Sequence, residues 1–393
     1  MADSNSASVV ISGAGPVGMA LALALARQGV RTTLLEKKQE LDRYSRAVLI
    51  IPRSLEFLDR LGVLDIFMAE GVRTDAIRMF HCVKRKPFLV CDFSRFKNKT
   101  KTPFALALSQ DRTEHLLYQE LMKTGLSEVR FNTEFDRFEE VEGGVRVYAK
   151  NGEVCNGDFL IGADGSWSGV RAQLGWQLEG ETFPTRAVLA DVKIAPEYDF
   201  RDGWLADPDA ASLTMSIRFA DGVWRIIEAA VAEHIQTDED LEKHAKNMTD
   251  KLFGIGAWQG TIWTAAYRKH TRRSERYVSG RIVLAGDAAH INSPAGGQGL
   301  NAGFADVDML SKRLAEALKQ PVRTAELLAD YERQRISSFD KDVKTLSESL
   351  EDMETAPAWA RNIGFALLAV MRKTRLDFVE AMLARKMAML HVA

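Results

Sequence analysis

Cysteine is scarce in this chain, and what there is stands apart. Cys82, Cys91 and Cys155 are the only three among 393 residues, with no CxxC pair and no His cluster beside them. Neither a disulfide framework nor a zinc site is indicated, no metal centre is expected, and a reducing compartment suits the sequence. Long apolar runs are missing too: nothing approaches the roughly 18 residues of a membrane span. The opening MADSNSASVV has no basic stretch followed by an apolar one. The expectation is therefore a cytoplasmic protein without an integral membrane segment. Net charge is close to zero: 52 Lys and Arg against 54 Asp and Glu leave −2, which gives no electrostatic reason to expect nucleic acid as a partner. Internal repeats and low-complexity segments are absent as well.

What is present is an ordinary globular composition, 46% hydrophobic and 27% charged, with material for two domains or one large discontinuous one. The β-branched run Val9-Val10-Ile11 reads as a short buried strand of the parallel kind. A glycine-rich turn follows, then an Ala/Leu helix over Met19–Gln28 that Gly29 stops, then a second strand over Arg31–Glu36. Further helices are read over 53–61 and 112–123, and strands over 129–149 broken at Gly143-Gly144. From Thr182 to Tyr267 the pattern is mostly of period two, interrupted by a charged helix near 237–252. Residues 75–104 alternate irregularly, and the basic stretch Lys97 to Lys101 reads as a solvated loop. A buried strand over 281–285, a glycine-rich loop and a helix to about Leu318 come next, and the chain from Tyr331 onward reads as nearly all helical.

Three motifs carry chemistry. The first is Gly13-Ala14-Gly15-Pro16-Val17-Gly18, set between a strand and a helix, with Glu36 ending the next strand. The glycines permit a tight turn and close approach of a pyrophosphate, and the helix N-terminus offers free N–H groups and positive dipole to the phosphates. Glu36, 18 positions beyond Gly18, suits the hydroxyls of an adenosine ribose. This motif does not separate FAD from NAD. The second, Phe159-Leu160-Ile161-Gly162-Ala163-Asp164-Gly165, and the third, Ile282 to His290 followed by Pro294, Gly297, Gln298, Gly299, Leu300 and Asn301, each place an Asp-containing turn directly after an apolar strand. Ligands of parallel sheets gather there. The helix from Gly299 carries Leu300, Phe304, Val307, Leu310 and Leu314 on one side. Its N-terminus would favour negative charge on a bound ligand.

In this order and spacing the motifs resemble the flavoprotein aromatic hydroxylases of the para-hydroxybenzoate hydroxylase and phenol hydroxylase type. The stretch GDAAHINSPAGGQGLNAGFADVDML is especially similar to polyketide and phenolic hydroxylases. The resemblance implies a non-covalently held FAD, NADPH or NADH as transient co-substrate, O2, and a small aromatic or polyketide-like substrate hydroxylated through a C4a-hydroperoxyflavin. It implies that Gly13, Gly15, Pro16, Val17, Gly18, Glu36 and Lys37 hold the ADP half of FAD. Arg46 would approach the pyrophosphate and meet the nicotinamide cofactor, Gln110 and Arg112 would contact the ribityl and phosphate part, and Asp164 and Gly165 would serve both cofactors. Gly286 and Asp287 would hold the ribityl chain, and Pro294 with Gly297, Gly299, Leu300 and Asn301 would border the ring; Arg46 and Pro294 are the candidates for direct participation in catalysis. Two residues depart from the family pattern, Ser12 before Gly13 and Val307 in the third motif's helix.

The implied fold is α/β: a Rossmann-like FAD-binding domain over 1–74, 105–181 and 271–335, an inserted β-sheet substrate domain over 75–104 and 182–270, and C-terminal helices over 336–393. A thioredoxin-like extension, common in phenol hydroxylase relatives, is not expected. Within the sheet Arg218, Trp224 and Tyr267 are candidates to face the substrate, and Arg225 should point to the face opposite Trp224. His290 reads as a structural residue of its turn. The helical tail, apolar stripes interleaved with Arg and Lys, docks on the body, on a second copy or on a membrane surface, and the protein is a monomer or homodimer. Alternatives are another flavoenzyme on the same fold (a quinone-pathway hydroxylase, a prenyl reductase or a halogenase, though the W-x-W-x-I-P element of halogenases is absent) and a non-catalytic flavin-fold binding protein.

Overall fold

Val9–Ser12 is buried along its whole length at the interior of a six-stranded sheet. The order across that sheet is 278–279, 282–284, 159–162, 9–12, 32–35 and 127–130, parallel throughout except for the first pair. Its central strands are apolar on both faces because helices cover one and the three-stranded antiparallel sheet of 135–141, 144–149 and 154–157 covers the other. The computed structural model describes residues 9–41, 49–200, 203–231, 235, 237–374 and 378–389.

The helices in chain order are α1 (Pro16–Ala26), α2 (Pro52–Arg60), α3 (Leu64–Glu70), α4 (Gln110–Lys123), α5 (Gly169–Gln173), α6 (Asp238–Phe253), α7 (Gln298–Lys319), α8 (Thr324–Ser338), α9 (Lys344–Thr355), α10 (Ala358–Lys373) and α11 (Phe378–Met387). A single π turn, Phe339–Val343, joins α8 to α9. Helix α1 begins at Pro16, whose fixed φ suits a first helical position, and is buried from Gly18 to Ala26. A helix apolar all round must be enclosed. Its alanines let the sheet, α4 and α7 approach closely, and each buried leucine contributes about 1.5–3 kcal/mol.

The second large sheet has eight strands, in the order 290–291, 258–274, 178–194, 224–231, 214–218, 204–207, 76–81 and 87–92. One face packs on α6: Val188, Ala190, Val192, Trp224 and Ile226 meet Leu241, Ala245, Met248 and Leu252. The helix is set by a capping box, with Thr237 accepting from the Asp240 N–H and Asp240 returning the bond, and by three acids in its first turn. The stretch 75–104 is more regular than its pattern suggests. Strands 76–81 and 87–92 form the sheet's far edge, and both of their faces are partly covered, which blurs the alternation.

The tail is bound to the body by polar side chains turned inward. Arg361, buried, donates to the Pro208 and Glu354 carbonyls. Glu380 accepts the Val90 N–H at 3.0 Å on the edge strand.

Candidate functional site

Strand register places the site. Ser12 stands beside Gly162 on one side and Leu35 on the other, and Gly162 stands beside Leu284. Four parallel strands thus end in one row, and the residues that follow, Gly13, Glu36, Ala163 and Ala285, leave the sheet along one edge. All three motifs open on that edge.

There they interlock through absent side chains. Gly13 has φ +99°, and a Cβ on it would overlap the Ala163 carbonyl oxygen and stand 2.9 Å from Asp164 Cα. Val17, the second residue of α1, fills the space left by two other glycines: a Cβ on Gly286 would lie 2.9 Å from its Cγ2, and one on Gly303 of α7 2.5 Å from it. The first motif is therefore clasped to the second by Gly13 and to the third by Val17. Gly18 packs on Gly13 itself. Gly15 does the reverse, since nothing lies within 4 Å of the Cβ position.

Polar side chains brace the same loops. Glu36 accepts the Ala14 N–H at 2.9 Å and the Lys38 N–H at 3.0 Å, joining the glycine turn to the end of the second strand. Lys37 beside it is exposed. Asp164 accepts from the Gly169 and Val170 amides at 2.9 and 3.2 Å and from the Ser12 hydroxyl at 3.3 Å. The Ser12 departure thus acquires a partner. Burial pushes the Asp164 carboxyl up, opposed by Ser168 and by the amides it accepts.

The third motif rests on a buried hub that sequence reasoning missed. Asp306 of α7, fully buried, accepts the Gly286 N–H at 2.8 Å, bonds His290 Nε2 at 2.7 Å and pairs with Arg335 of α8 at 2.6 Å. Burial alone would raise its carboxyl, but His290 and Arg335 hold it at about 2. The available signal was an acid set among the apolar residues of α7. His290 is fixed by this hub and sits in the turn as a structural residue. Asn301 is committed likewise, accepting from the Ile51 N–H at 3.1 Å and donating to the Leu49 and Gly297 carbonyls at 2.8 and 2.7 Å.

The sequence pattern of the FAD binding domain family matches residues 6–344. The chain belongs to that family. It is 32% identical over 350 residues to 12-dehydrotetracycline 5-monooxygenase/anhydrotetracycline 6-monooxygenase of Streptomyces rimosus, covering 83% of this chain and 66% of the relative. It is 30% identical over 342 residues to 6-hydroxy-3-succinoylpyridine 3-monooxygenase of Pseudomonas putida, covering 84% of each. Among solved structures, OxyS anhydrotetracycline hydroxylase from Streptomyces rimosus superposes with a TM-score of 0.78 at 29% identity, over 98% of this chain and 76% of that one. The chain spans just under two thirds of the first relative's length, 66%.

The crevice suits FAD on its own terms. The first turn of α1 carries no side-chain cap, and the open space at Gly15 lies beside it. The first turn of α7 is also without a side-chain cap, begins after Gly297 in the left-handed region, and has open space at Gly299. Between them, Asp164 Oδ1 is buried without a hydrogen-bond partner, Asp287 is exposed beyond its strand, and Pro294 is exposed before the 295–297 turn. Uncapped helix N-termini, room for a backbone approach and a buried carboxylate oxygen with spare lone pairs are what a dinucleotide takes.

Other expected residues are placed differently. Arg112 forms a bidentate, half-exposed pair with Glu70 at 2.8 Å, so its guanidinium is engaged by α3. Gln110 bonds Glu114 at 2.8 Å within α4. Arg46 lies outside the described residues. Trp224 is fully buried against Phe253 of α6, ring centroids 4.8 Å apart, and both it and Arg218 donate to Asp199 at 3.1 Å. These two belong to the α6 side of the sheet, which corrects their expected role in facing substrate. Strand register, invisible in the sequence, decided the face.

The opposite face meets the loop before α7. Arg225, as expected, points away from Trp224 and forms a buried bidentate pair with Asp191 at 2.7 Å. Farther along, Tyr267, Lys269 and Thr271 alternate with Arg268 and His270. Thr271 Oγ1 accepts the Ser293 N–H at 3.4 Å, and the Ser293 hydroxyl donates to Glu351 of α9 at 2.9 Å. Lys269, 1% exposed, pairs with the same Glu351. Glu354, one turn on, is pushed up to about 7 by burial, with Lys269 opposing. Tyr267 therefore stands on the side of the sheet that faces Ser293 and Pro294.

Proposed function

We propose that the protein is an FAD-dependent monooxygenase that hydroxylates an aromatic or polyketide-like substrate with NAD(P)H and O2. The observation that carries this reading is the clasp of Val17 by Gly286 and Gly303 and of Gly13 by Ala163 and Asp164. It brings three separate segments around one crevice in a chain whose relatives are named monooxygenases.

Bound FAD supplies electron transfer from the nicotinamide and activation of O2. This chain's residues do the rest. The α1 N-terminus and Gly15 receive the pyrophosphate, Glu36 accepts from the ribose, and Asp287 and Asp164 offer acceptors along the crevice. The α7 N-terminus stabilises negative charge where the ring lies. Pro294 and the sheet face bearing Tyr267 border the substrate and exclude water. Arg46 assists the nicotinamide step. The overall change is balanced: substrate C–H, NAD(P)H, a proton and O2 give C–OH, NAD(P)+ and water, with the O–O bond broken between the two products.

The test is an NAD(P)H-oxidation screen of the FAD-loaded protein against phenols, naphthols and polyketide aromatics under 18O2. The expected result is substrate-stimulated oxidation and a product heavier by one labelled oxygen. A protein that takes up FAD yet shows no substrate-dependent oxidation across that panel, or a product without label, sinks the reading.

A further inference from the structure

Helix α10 is apolar on both sides, with Phe365 buried beside Arg361. Its buried side carries Arg361, and its solvent side carries Trp359, Ile363, Leu367 and Val370, 69, 63, 59 and 56% exposed. The other exposed positions in that stretch are Gly364 and Ala366, and the first exposed polar residue is Lys373. Helix α11 adds Phe378 and Met382, 66 and 52% exposed. Six of the thirteen exposed large hydrophobic side chains among the described residues thus stand on two consecutive helices. Soluble surfaces scatter such residues singly; a contiguous group marks a contact.

The charge around this group is mainly positive, Asp209 beside Asn362 being the exception at its N-terminal end. The described residues of 358–389 hold five Lys and Arg against Glu380; Arg361 is buried and Arg372 pairs with that acid, which leaves Lys373, Arg385 and Lys386. Residues 83–101 hold seven against one, in a chain whose net charge is −2. The fold sets these segments side by side. Phe88 stacks on Phe365 at 4.6 Å, and Arg372 donates to the Phe88 carbonyl at 3.2 Å. The hairpin tip, with Val83 77% exposed beside Lys84 and Lys86, and the exposed Lys97, Lys99 and Lys101 therefore flank the apolar helices.

We propose that α10 and α11 seat the protein on the surface of an anionic lipid bilayer, the apolar side chains entering the headgroup boundary and the surrounding lysines meeting the lipid phosphates. No helix among the described residues is long and apolar enough to cross a membrane, so α10 lies in the plane. A second copy is the poorer occupant. A two-fold contact sets each patch against itself and would bring the lysine borders together, whereas an anionic headgroup layer neutralises them.

The experiment is flotation of the FAD-loaded full chain with vesicles of phosphatidylcholine and phosphatidylglycerol at 3:1, and with pure phosphatidylcholine. Binding at least tenfold stronger to the anionic vesicles is expected, weakening in high salt. Leu367→Asp with Val370→Asp should abolish it. Lys97→Glu, Lys99→Glu and Lys101→Glu together should weaken it at least tenfold. All these positions are exposed, and flavin content and circular dichroism confirm that the variants fold. Equal binding to both vesicle types, or none to either, overturns the proposal. So does a dimer, seen by sedimentation, that the Leu367→Asp/Val370→Asp pair dissociates while vesicles are ignored.

Discussion

Asp306 accepts the backbone N–H of Gly286 at 2.8 Å from a helix that begins twelve residues later in the chain, and shares its carboxylate with His290 and Arg335. One buried acid thus sets the turn that presents Asp287. Asp306→Asn would leave Arg335 charged and unpaired in the interior, a loss of about 3–5 kcal/mol. Urea unfolding measures it, and weakened FAD retention should accompany it. The carboxyl is held below its ordinary 3.8, so its contribution is full above about pH 4 and is lost as pH falls toward 2. An Asn variant as stable as the parent at pH 7 would remove Asp306 from this role.

Glu354 gives the opposite slope. Burial raises its carboxyl from 4.5 to about 7. The folded state therefore holds a proton that the unfolded state releases, and stability present below about pH 4.5 declines as pH rises through 7. The loss amounts to about 3 kcal/mol. Glu354→Gln keeps the neutral shape, so denaturation midpoints of the variant should fall less between pH 5 and 8 than those of the parent. Identical slopes would mean that the carboxyl is not buried as described.

The Val17 clasp is testable by a double-mutant cycle. Gly303→Ala places a methyl 2.5 Å from Val17 Cγ2 and should cost about 1–3 kcal/mol by overpacking. Val17→Ala in the same chain should recover part of that loss, giving a coupling energy of roughly 0.5 kcal/mol or more. Purely additive effects would show that the two do not touch.

Glu36→Ala should weaken FAD retention by about 1.5–3 kcal/mol, the worth of a charge-assisted hydrogen bond, with secondary structure unchanged when FAD is in excess. Fluorescence titration of released flavin reads it. Unaltered affinity would confine Glu36 to the Ala14 and Lys38 amides that it already holds.

The crevice was largely legible in the sequence because its parts are local. An apolar run, a glycine turn and a helix lie within thirty residues, and α6 announces itself with Thr237 and its acids. What was not legible is non-local or depends on facing. Lys269 and Glu351 are 82 positions apart and buried together, yet in the sequence each looks like a surface charge. Trp224 and Arg225 could be assigned to opposite faces but not to the correct ones, since a strand's own pattern does not say which face a helix covers. The basic residues after Arg95 read as a solvated loop, and only the packing of α10 and α11 beside strand 87–92 gives them neighbours.

Helix α9 carries a consequence for proteolysis. The family pattern ends at residue 344, where α9 begins, yet Glu351 holds Ser293 and Lys269, and Leu350 lies against Gly296. A cut in the π turn that freed α9 would strand an ammonium in the interior and unfasten the loop before Pro294, although every glycine of the three motifs would still be in place. A trimmed fragment of that kind would keep the family's whole signature and lose its grip on the ring. If FAD borders the loop that Glu351 fastens at Ser293, resistance to proteolysis at residues 339–343 should rise when FAD is bound.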